Sequence, residues 1–336
     1  KAESAGKVLD VRVLNGDMQP PYTGTLGKPH FNTYGFGPDR GTMAGVPHFN
    51  DVEFIGEYPI AKLNFRDDNF PGNITMTAFN PFIPLNDMDS SIPGAFFEIQ
   101  IENSSDHIIL YTVCLSVSNP FKNGTAINTY TSKGDFHFIK LTSNEYGPDE
   151  FEFGDITVAT QCDDVSYQEY WYRGSWFDNL QMFWRDFTKP GKLINRTYKV
   201  QNENSHTYSG SDVSSLAAHI QIEPRQAKCV RFIITWNFPN CYNYWNPEKC
   251  CCGDGCCDTG KPKIWKNYYA TVFEDSVVSA RYALENWERL YGDTLEFKEA
   301  LFESTIPSVA LEAVSANISI LKPPTCLRLE DGSFYG

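Results

Sequence analysis

Short runs of alternating apolar and polar residues, set apart by Gly, Pro, Asn and Asp clusters, recur through most of this chain. Residues 8–14 form the first run. In residues 74–79, Ile74, Met76 and Ala78 share one face and Thr75, Thr77 and Phe79 the other, as successive strand side chains must. Residues 80–103, NPFIPLNDMDSSIPGAFFEIQIEN, are the most informative stretch. An apolar turn punctuated by Pro81 and Pro84 runs into a polar loop of Asn86, Asp87, Asp89, Ser90 and Ser91. After Pro93 a strand sets Phe97, Ile99 and Ile101 against Glu98, Gln100 and Glu102. In residues 108–117, Ile109, Tyr111, Val113, Leu115 and Val117 share a face, and the polar link 103–107 suits a hairpin. Further runs lie at 136–141, 151–160, 219–223 and 229–236, where Val230, Phe232, Ile234 and Trp236 alternate. Many short strands with turn signals and no interleaved helices predict a large antiparallel β-sandwich.

Two segments depart from this pattern. In residues 167–187, YQEYWYRGSWFDNLQMFWRDF, the part after Gly174 places Phe177, Leu180, Phe183, Trp184 and Phe187 on one helical face. That reads as a short helix packed on the sandwich. Beyond residue 270 the spacing changes outright. Val277, Ala280, Leu284, Trp287 and Tyr291 recur as the stripe of an amphipathic helix, with Asp275 placed to cap it and Gly292 to end it. A second helix is predicted from Asp293 or Thr294, with Phe297, Leu301 and Phe302 apolar. Thr305 caps a third, with Pro307 in its first turn, Leu311, Val314, Ile318 and Leu321 as its buried face, and Pro323 and Pro324 as its end. The expected division is a mainly β unit, residues 1–270, and a short all-α segment, residues 271–336. Those helices have too few partners to bury their stripes, which predicts self-association of a chain left without them.

Composition narrows the classes. The 336 residues are 41% apolar and 21% charged, as in an ordinary globular protein. A formal net charge of −14 excludes a nucleic-acid partner, which needs a basic surface. No apolar run reaches the roughly 18 residues of a transmembrane helix. The chain begins at Lys1 with no methionine, so its natural start is expected upstream. Aromatic residues make up 15%. Core packing is their first reading, and a carbohydrate-stacking platform of Trp171, Trp176 and Trp184 the alternative.

Six of the ten cysteines fall between Cys241 and Cys257. Thiolates at Cys250, Cys252, Cys256 and Cys257 could hold a structural zinc ion, although the usual paired spacing is absent and no histidine is near. A disulfide-stapled loop, a reduced loop and a zinc site are the three readings, and no other cofactor is required. The cysteine-rich loop and the lack of a visible signal peptide lean toward a cytoplasmic location. The six histidines are scattered, and no Gly-x-Ser-x-Gly, His-Glu-x-x-His or EF-hand pattern occurs. Five Asn-x-Ser/Thr sequons occur, Asn73 and Asn103 among them, which is near chance for an Asn-rich chain.

Several motifs stand in a telling order: EYPIAKLNF (57–65), ITMTAFNPFIPL (74–85), IITWNFPN (233–240), KNYYATVFEDSVVSARYALENW (266–287) and SANISILKPPTCLRLEDGSFYG (315–336). That collinear order resembles glycoside hydrolase family 116, which holds the non-lysosomal glucosylceramidases and related bacterial β-glucosidases. The resemblance implies an amino-terminal β-sandwich followed by an (α/α)6 catalytic barrel. It implies retaining chemistry with a Glu nucleophile and an Asp acid/base, at positions beyond Gly336, so no residue here is assigned a catalytic role. Glu330, Asp331, Phe334 and Tyr335 are read as lining the edge of that site. The implied partners are the catalytic barrel and a β-glucoside or glycolipid substrate. The competing readings are a carbohydrate-binding sandwich module and an interaction scaffold organised by the cysteine loop.

Overall fold

A computed structural model describes residues 1–16, 43, 45–122, 124–174, 178–198, 211–242, 264–322 and 326–335. Strands β1 (Ala2–Ser4), β2 (Lys7–Asp10), β3 (Val13–Gly16), β4 (His48–Phe49), β5 (Asp51–Glu57), β6 (Ile60–Arg66) and β7 (Asn73–Phe79) come first. The short helix α1 (Asp87–Ser90) precedes β8 (Gly94–Glu102), β9 (Ile109–Ser118), β10 (Ala126–Lys133), β11 (Phe136–Ser143), β12 (Asp155–Thr160) and β13 (Val165–Gln168). Helix α2 (Asn179–Phe187) leads to β14 (Val213–Ile222), β15 (Ala227–Asn237), β16 (Asn240–Tyr242) and β17 (Ile264–Lys266). Helices α3 (Tyr269–Val272), α4 (Ser276–Glu285), α5 (Trp287–Phe302) and α6 (Ser308–Ile318) follow, then the hairpin β18 (Leu327–Arg328) and β19 (Phe334–Tyr335).

The expected mainly β sandwich is present. One sheet has eight strands in the order β10-β11-β12-β15-β8-β7-β6-β5, and the other five in the order β13-β14-β9-β1-β2. Every pairing within the two sheets is antiparallel. The alternation decides which side chains meet between them. Ile99 and Ile101 of β8 and Val230 and Phe232 of β15 face Tyr111 and Val113 of β9 and Leu216 and Ala218 of β14.

Each sheet also buries its outer face. Helix α2 lies on the small sheet, where Leu180, Phe183 and Phe187 pack with Trp171, Val213 and Ala217. Helices α4 and α5 lie on the large sheet, where Ala280, Ala283, Leu284, Trp287 and Leu290 cover Phe79, Phe96, Phe136, Phe138 and Ile233. The result is four layers, helix–sheet–sheet–helix.

The carboxy-terminal helices differ from expectation in their boundaries. Asp275 caps α4 as read, accepting from the Val278 N–H at 2.9 Å. The helix ends at Asn286, however, and Gly292 sits inside α5. Asn286 leaves helical geometry at φ −105° and ψ 13°, and its Nδ2 donates to the Tyr282 carbonyl at 2.9 Å. This break lets Trp287 enter the aromatic slot on the sheet. Gly292 faces open space, so its cost is only the roughly 1 kcal/mol of a helical glycine. Pro307, not Thr305, occupies the cap of α6, because its ψ of 139° is extended. Of the stripe expected to be buried, Leu311 is covered, but Val314 is 43% and Leu321 65% exposed.

His219 ties the small sheet together across three strands. It is 5% exposed on β14. Its Nδ1 lies 3.0 Å from Thr112 Oγ1 on β9, and its Nε2 2.8 Å from Ser166 Oγ on β13. Ser166 Oγ also accepts from the Leu193 N–H at 3.1 Å, which anchors the segment after α2. Burial pushes the imidazole pKa down from 6.5 to about 4, while Asp164 and Glu3 pull it up and Lys192 and Lys1 down. A depressed histidine pKa favours the neutral fold. Its contribution is therefore complete above the unfolded value and disappears as pH falls from about 6.5 toward 4. At about 1.4 kcal/mol per unit, the loss is about 3 kcal/mol at most. Urea unfolding across this pH range is expected to show the loss, and His219→Gln should flatten the slope above pH ~4.5, where carboxylates contribute little. Identical slopes in the two proteins would remove His219 as the cause.

Candidate functional site at the rim

The loop between β7 and β8 is built as a rigid projection. Pro81 and Pro84 restrict φ along its ascending limb. Asn80 closes the base, donating from Nδ2 to the carbonyls of Ile92 (3.1 Å) and Gly94 (2.7 Å). Across the loop, Ser90 Oγ accepts from the Ile83 N–H (2.9 Å) and donates to its carbonyl (3.0 Å). Asn86 Oδ1 caps α1 by accepting from the Asp89 N–H at 3.1 Å. Phe82 packs against Phe297 of α5 with ring centroids 4.8 Å apart, and its N–H donates to Thr294 Oγ1.

Asp89 is the joint between this loop and the helices. It is 5% exposed and accepts from Tyr282 Oη, Arg289 Nη1 and Asn86 Nδ2, each at 2.7 Å. Burial opposes its ionisation, but these hydrogen bonds outweigh burial and hold the carboxyl below its usual range. At the loop tip, Leu85 adopts φ 63°, a left-handed conformation unusual for a residue with a branched side chain, and that side chain is fully exposed.

The β18–β19 hairpin lies beside the loop. The Tyr268 N–H donates to the Arg328 carbonyl (2.8 Å), and the Glu330 N–H to that of Lys266 (2.9 Å). Arg328 links hairpin and loop. Its guanidinium pairs with Asp87 and lies 3.7 Å from the Tyr268 ring centroid and 5.4 Å from that of Phe334. Lys322 reaches the loop base, donating to Asn80 Oδ1 and, at 2.7 Å, to the Pro81 carbonyl. Burial pushes its ammonium pKa down to about 8.

The expected edge residues fall on this hairpin. Glu330 and Asp331 are exposed at its turn, Phe334 is 71% exposed, and Tyr335 is half-buried against Trp265 at 4.9 Å. Asp331 Oδ1 accepts from Ser333 Oγ (2.5 Å) and the Ser333 N–H (2.9 Å), which lower its pKa. The platform reading of the tryptophans is corrected at Trp171. It is 6% exposed, stacked on Phe183 at 4.3 Å, with Nε1 donating to Ser215 Oγ at 2.7 Å. A ring covered on its face and tied at its edge cannot stack on a sugar. Trp184 is half-buried beside Phe187. Trp176 and the cysteines Cys250, Cys252, Cys256 and Cys257 lie outside the described residues.

The sequence reading missed Asp89 and Arg328, which hold the rim, and Leu85, which it presents. The available signal was Asn86 three residues before Asp89, the spacing of a helix cap. Nothing local marks the partners Tyr282 and Arg289. Among the described residues no group of three His, Cys, Asp or Glu could hold a metal ion.

Fold and site together define a helix-flanked β-sandwich that holds out a hydrogen-bonded loop and hairpin. Residues 9–290 match the family model described as beta-glucosidase 2, glycosyl-hydrolase family 116 N-term, and the chain belongs to that family. Likenesses to solved structures are distant. A putative kojibiose phosphorylase from human microbiome aligns at TM-score 0.34 and 10% identity, over 75% of this chain and 26% of that one. A polysaccharide lyase aligns at TM-score 0.31 and 9% identity, over 53% of this chain and 21% of the other. The chain thus spans about a quarter and a fifth of those proteins, and neither likeness bears on function. No curated protein matches it.

Removing the Asp89 carboxylate should free the loop. Asp89→Ala is expected to destabilise the protein by about 2 kcal/mol, the scale of charge-assisted hydrogen bonds, and to speed proteolytic cleavage within residues 82–90. A double-mutant cycle with Arg289→Met should show coupling. Unchanged cleavage and no coupling would mean that something else holds the loop.

Proposed function

We propose that this chain is the non-catalytic amino-terminal region of a retaining β-glucosidase or glucosylceramidase-like hydrolase. It braces the (α/α)6 catalytic barrel and shapes the rim of the active site. The observation that carries this reading is the rim itself, in a chain of the glycoside hydrolase 116 amino-terminal family. A loop with little core of its own is locked by Asp89, Arg289 and Arg328, and it holds Leu85 out in a strained conformation. Such strain persists only where the surroundings over-determine it, and it collects at functional surfaces.

The chemistry is assigned to the partner domain. Retention requires two carboxyl groups about 5–5.5 Å apart, one of them an acid with a raised pKa. Asp331, an exposed carboxylate of the hairpin turn, is shifted the other way by its Ser333 hydrogen bonds. The role left to the rim is contact with the barrel and with the aglycone of a β-glucoside or glycolipid. The exposed Val309, Val314, Ile320 and Leu321 around α6 supply an apolar surface for the barrel, or for a second copy when the barrel is missing.

Hydrolysis of aryl β-glucosides tests this directly. The chain alone is expected to be inactive, and a polypeptide extended through the catalytic domain should hydrolyse them with retention of anomeric configuration. Turnover by the chain alone would sink the proposal. Inactivity of both forms, together with glycan binding by the chain alone, would favour the binding-module reading.

A further inference from the structure

Asn103 is the first residue of an Asn-Ser-Ser sequon, and it sits where no sequon acceptor can work. It is 0% exposed at the end of β8. Its Nδ2 donates to three backbone carbonyls: His107 at 2.8 Å, Ile222 at 3.0 Å and Glu223 at 3.3 Å. Its Oδ1 accepts from the Ser105 N–H (3.0 Å) and Ser105 Oγ (2.7 Å). Its backbone N–H donates to the Gln226 carbonyl (2.9 Å), and its carbonyl accepts from the Arg225 N–H (3.1 Å). The link 103–107 is not the hairpin its sequence suited, because β8 and β9 lie in different sheets, as do β14 and β15. One side chain thus ties together two connections that each cross from one sheet to the other.

We propose that Asn103 is an N-glycosylation site that this fold cannot carry: glycosylation there and folding exclude one another. The chain is therefore built for a compartment in which no oligosaccharide is transferred to asparagine. Transfer joins Nδ2 to the anomeric carbon of a lipid-linked oligosaccharide, breaks that carbon's bond to the lipid diphosphate, which leaves, and releases one amide proton. Nδ2 keeps a single N–H where it now serves three carbonyls, and the buried bond to Ile222 is among those put at risk. The sugar itself has no space at an atom enclosed by backbone, whereas tolerated glycans sit on surfaces. Transfer acts on the chain before it folds, so burial in the finished structure gives no protection.

Other sequons provide an internal contrast. Asn73 on β7 and Asn317 on α6 are exposed, and their Nδ2 atoms make one hydrogen bond each, to Glu102 Oε2 (3.2 Å) and the Ala313 carbonyl (2.7 Å). Both can carry a sugar with the fold intact.

The test directs the chain into the endoplasmic reticulum of a eukaryotic cell with an added leader, and maps glycan occupancy in the soluble, protease-resistant fraction and in the insoluble fraction. Glycan at Asn103 is expected in the insoluble fraction and absent from the soluble one, while glycans at Asn73 or Asn317 occur in both. Tunicamycin, which blocks transfer without changing the protein, should return the chain to the soluble fraction, and Ser105→Ala should do the same. Soluble, protease-resistant chain glycosylated at Asn103 would overturn the proposal. So would an endoplasmic-reticulum pool that folds fully with Asn103 unmodified and leaves no glycosylated insoluble fraction.

Discussion

The seating of Trp287 against the large sheet is the interaction on which the rest depends. Its ring lies 5.4 Å from Phe79 and 5.1 Å from Phe96, and the Arg231 guanidinium lies 5.0 Å from its centroid. Truncating such a residue typically costs about 3–5 kcal/mol, so this contact accounts for much of the adhesion between helices and sheet. Apolar burial alone does not fix a position. A polar staple at the start of α4 does so. The Ser276 N–H donates to Asp155 (2.9 Å), its hydroxyl meets Thr157 (2.7 Å), and its carbonyl accepts from Thr235 (2.6 Å). Ser276, Thr157 and Thr235 are all fully buried, so any sliding of the helix would leave polar groups unsatisfied. The aromatic slot supplies the attraction and the staple supplies the register.

Position then passes outward. Helix α4 carries Tyr282, and α5 carries Arg289, Thr294 and Phe297. These four residues hold the loop between β7 and β8 through Asp89 and Phe82. The loop in turn holds Asp87 for Arg328, and so the terminal hairpin. The rim has almost no apolar core of its own, and its shape is borrowed from the sheet through two helices. That explains how Leu85 stays at a positive φ although nothing covers it. The strain of order 1–3 kcal/mol is balanced by contacts elsewhere in the loop.

What could be read from the sequence was what is local. Alternation in residues 97–102 and 109–117 identified inward faces correctly, because a strand's period of two follows from backbone geometry. The same runs held a second message. Phe96 and Ile233 are apolar on the opposite face, which marks a sheet covered on both sides, and that face is where α4 and α5 lie. The helix break at Asn286 was not legible, because the stripe from Val277 to Tyr291 continues through it without interruption. The break answers to Phe79 and Phe96, which are distant in the chain. At Trp171 the helix packed on the sandwich was read as found, but the platform alternative stayed open for a related reason. An aromatic cluster has the same composition whether it packs inward or stacks on a ligand, and only α2 lying on the small sheet decides between them. At the rim, Asp89 looks like one loop carboxylate among several until Tyr282 and Arg289 arrive from another part of the chain.

Stability and the proposed contact surface are therefore placed in different layers. The three inter-layer cores and the buried polar ties secure the sandwich, and they need nothing from the rim. The rim exposes Leu85, Phe334, Val309 and Ile320, whose solvation is unfavourable in the free chain. Any partner that covers them binds the folded state alone and stabilises it by mass action. Because the rim is held through α4 and α5, that added stability reaches the sheet along the same path in reverse. On the proposed role, a change in the Trp287 slot would weaken barrel contact without touching the contact surface. On the same role, a change at the exposed Leu85 would weaken that contact and leave the sandwich cores untouched.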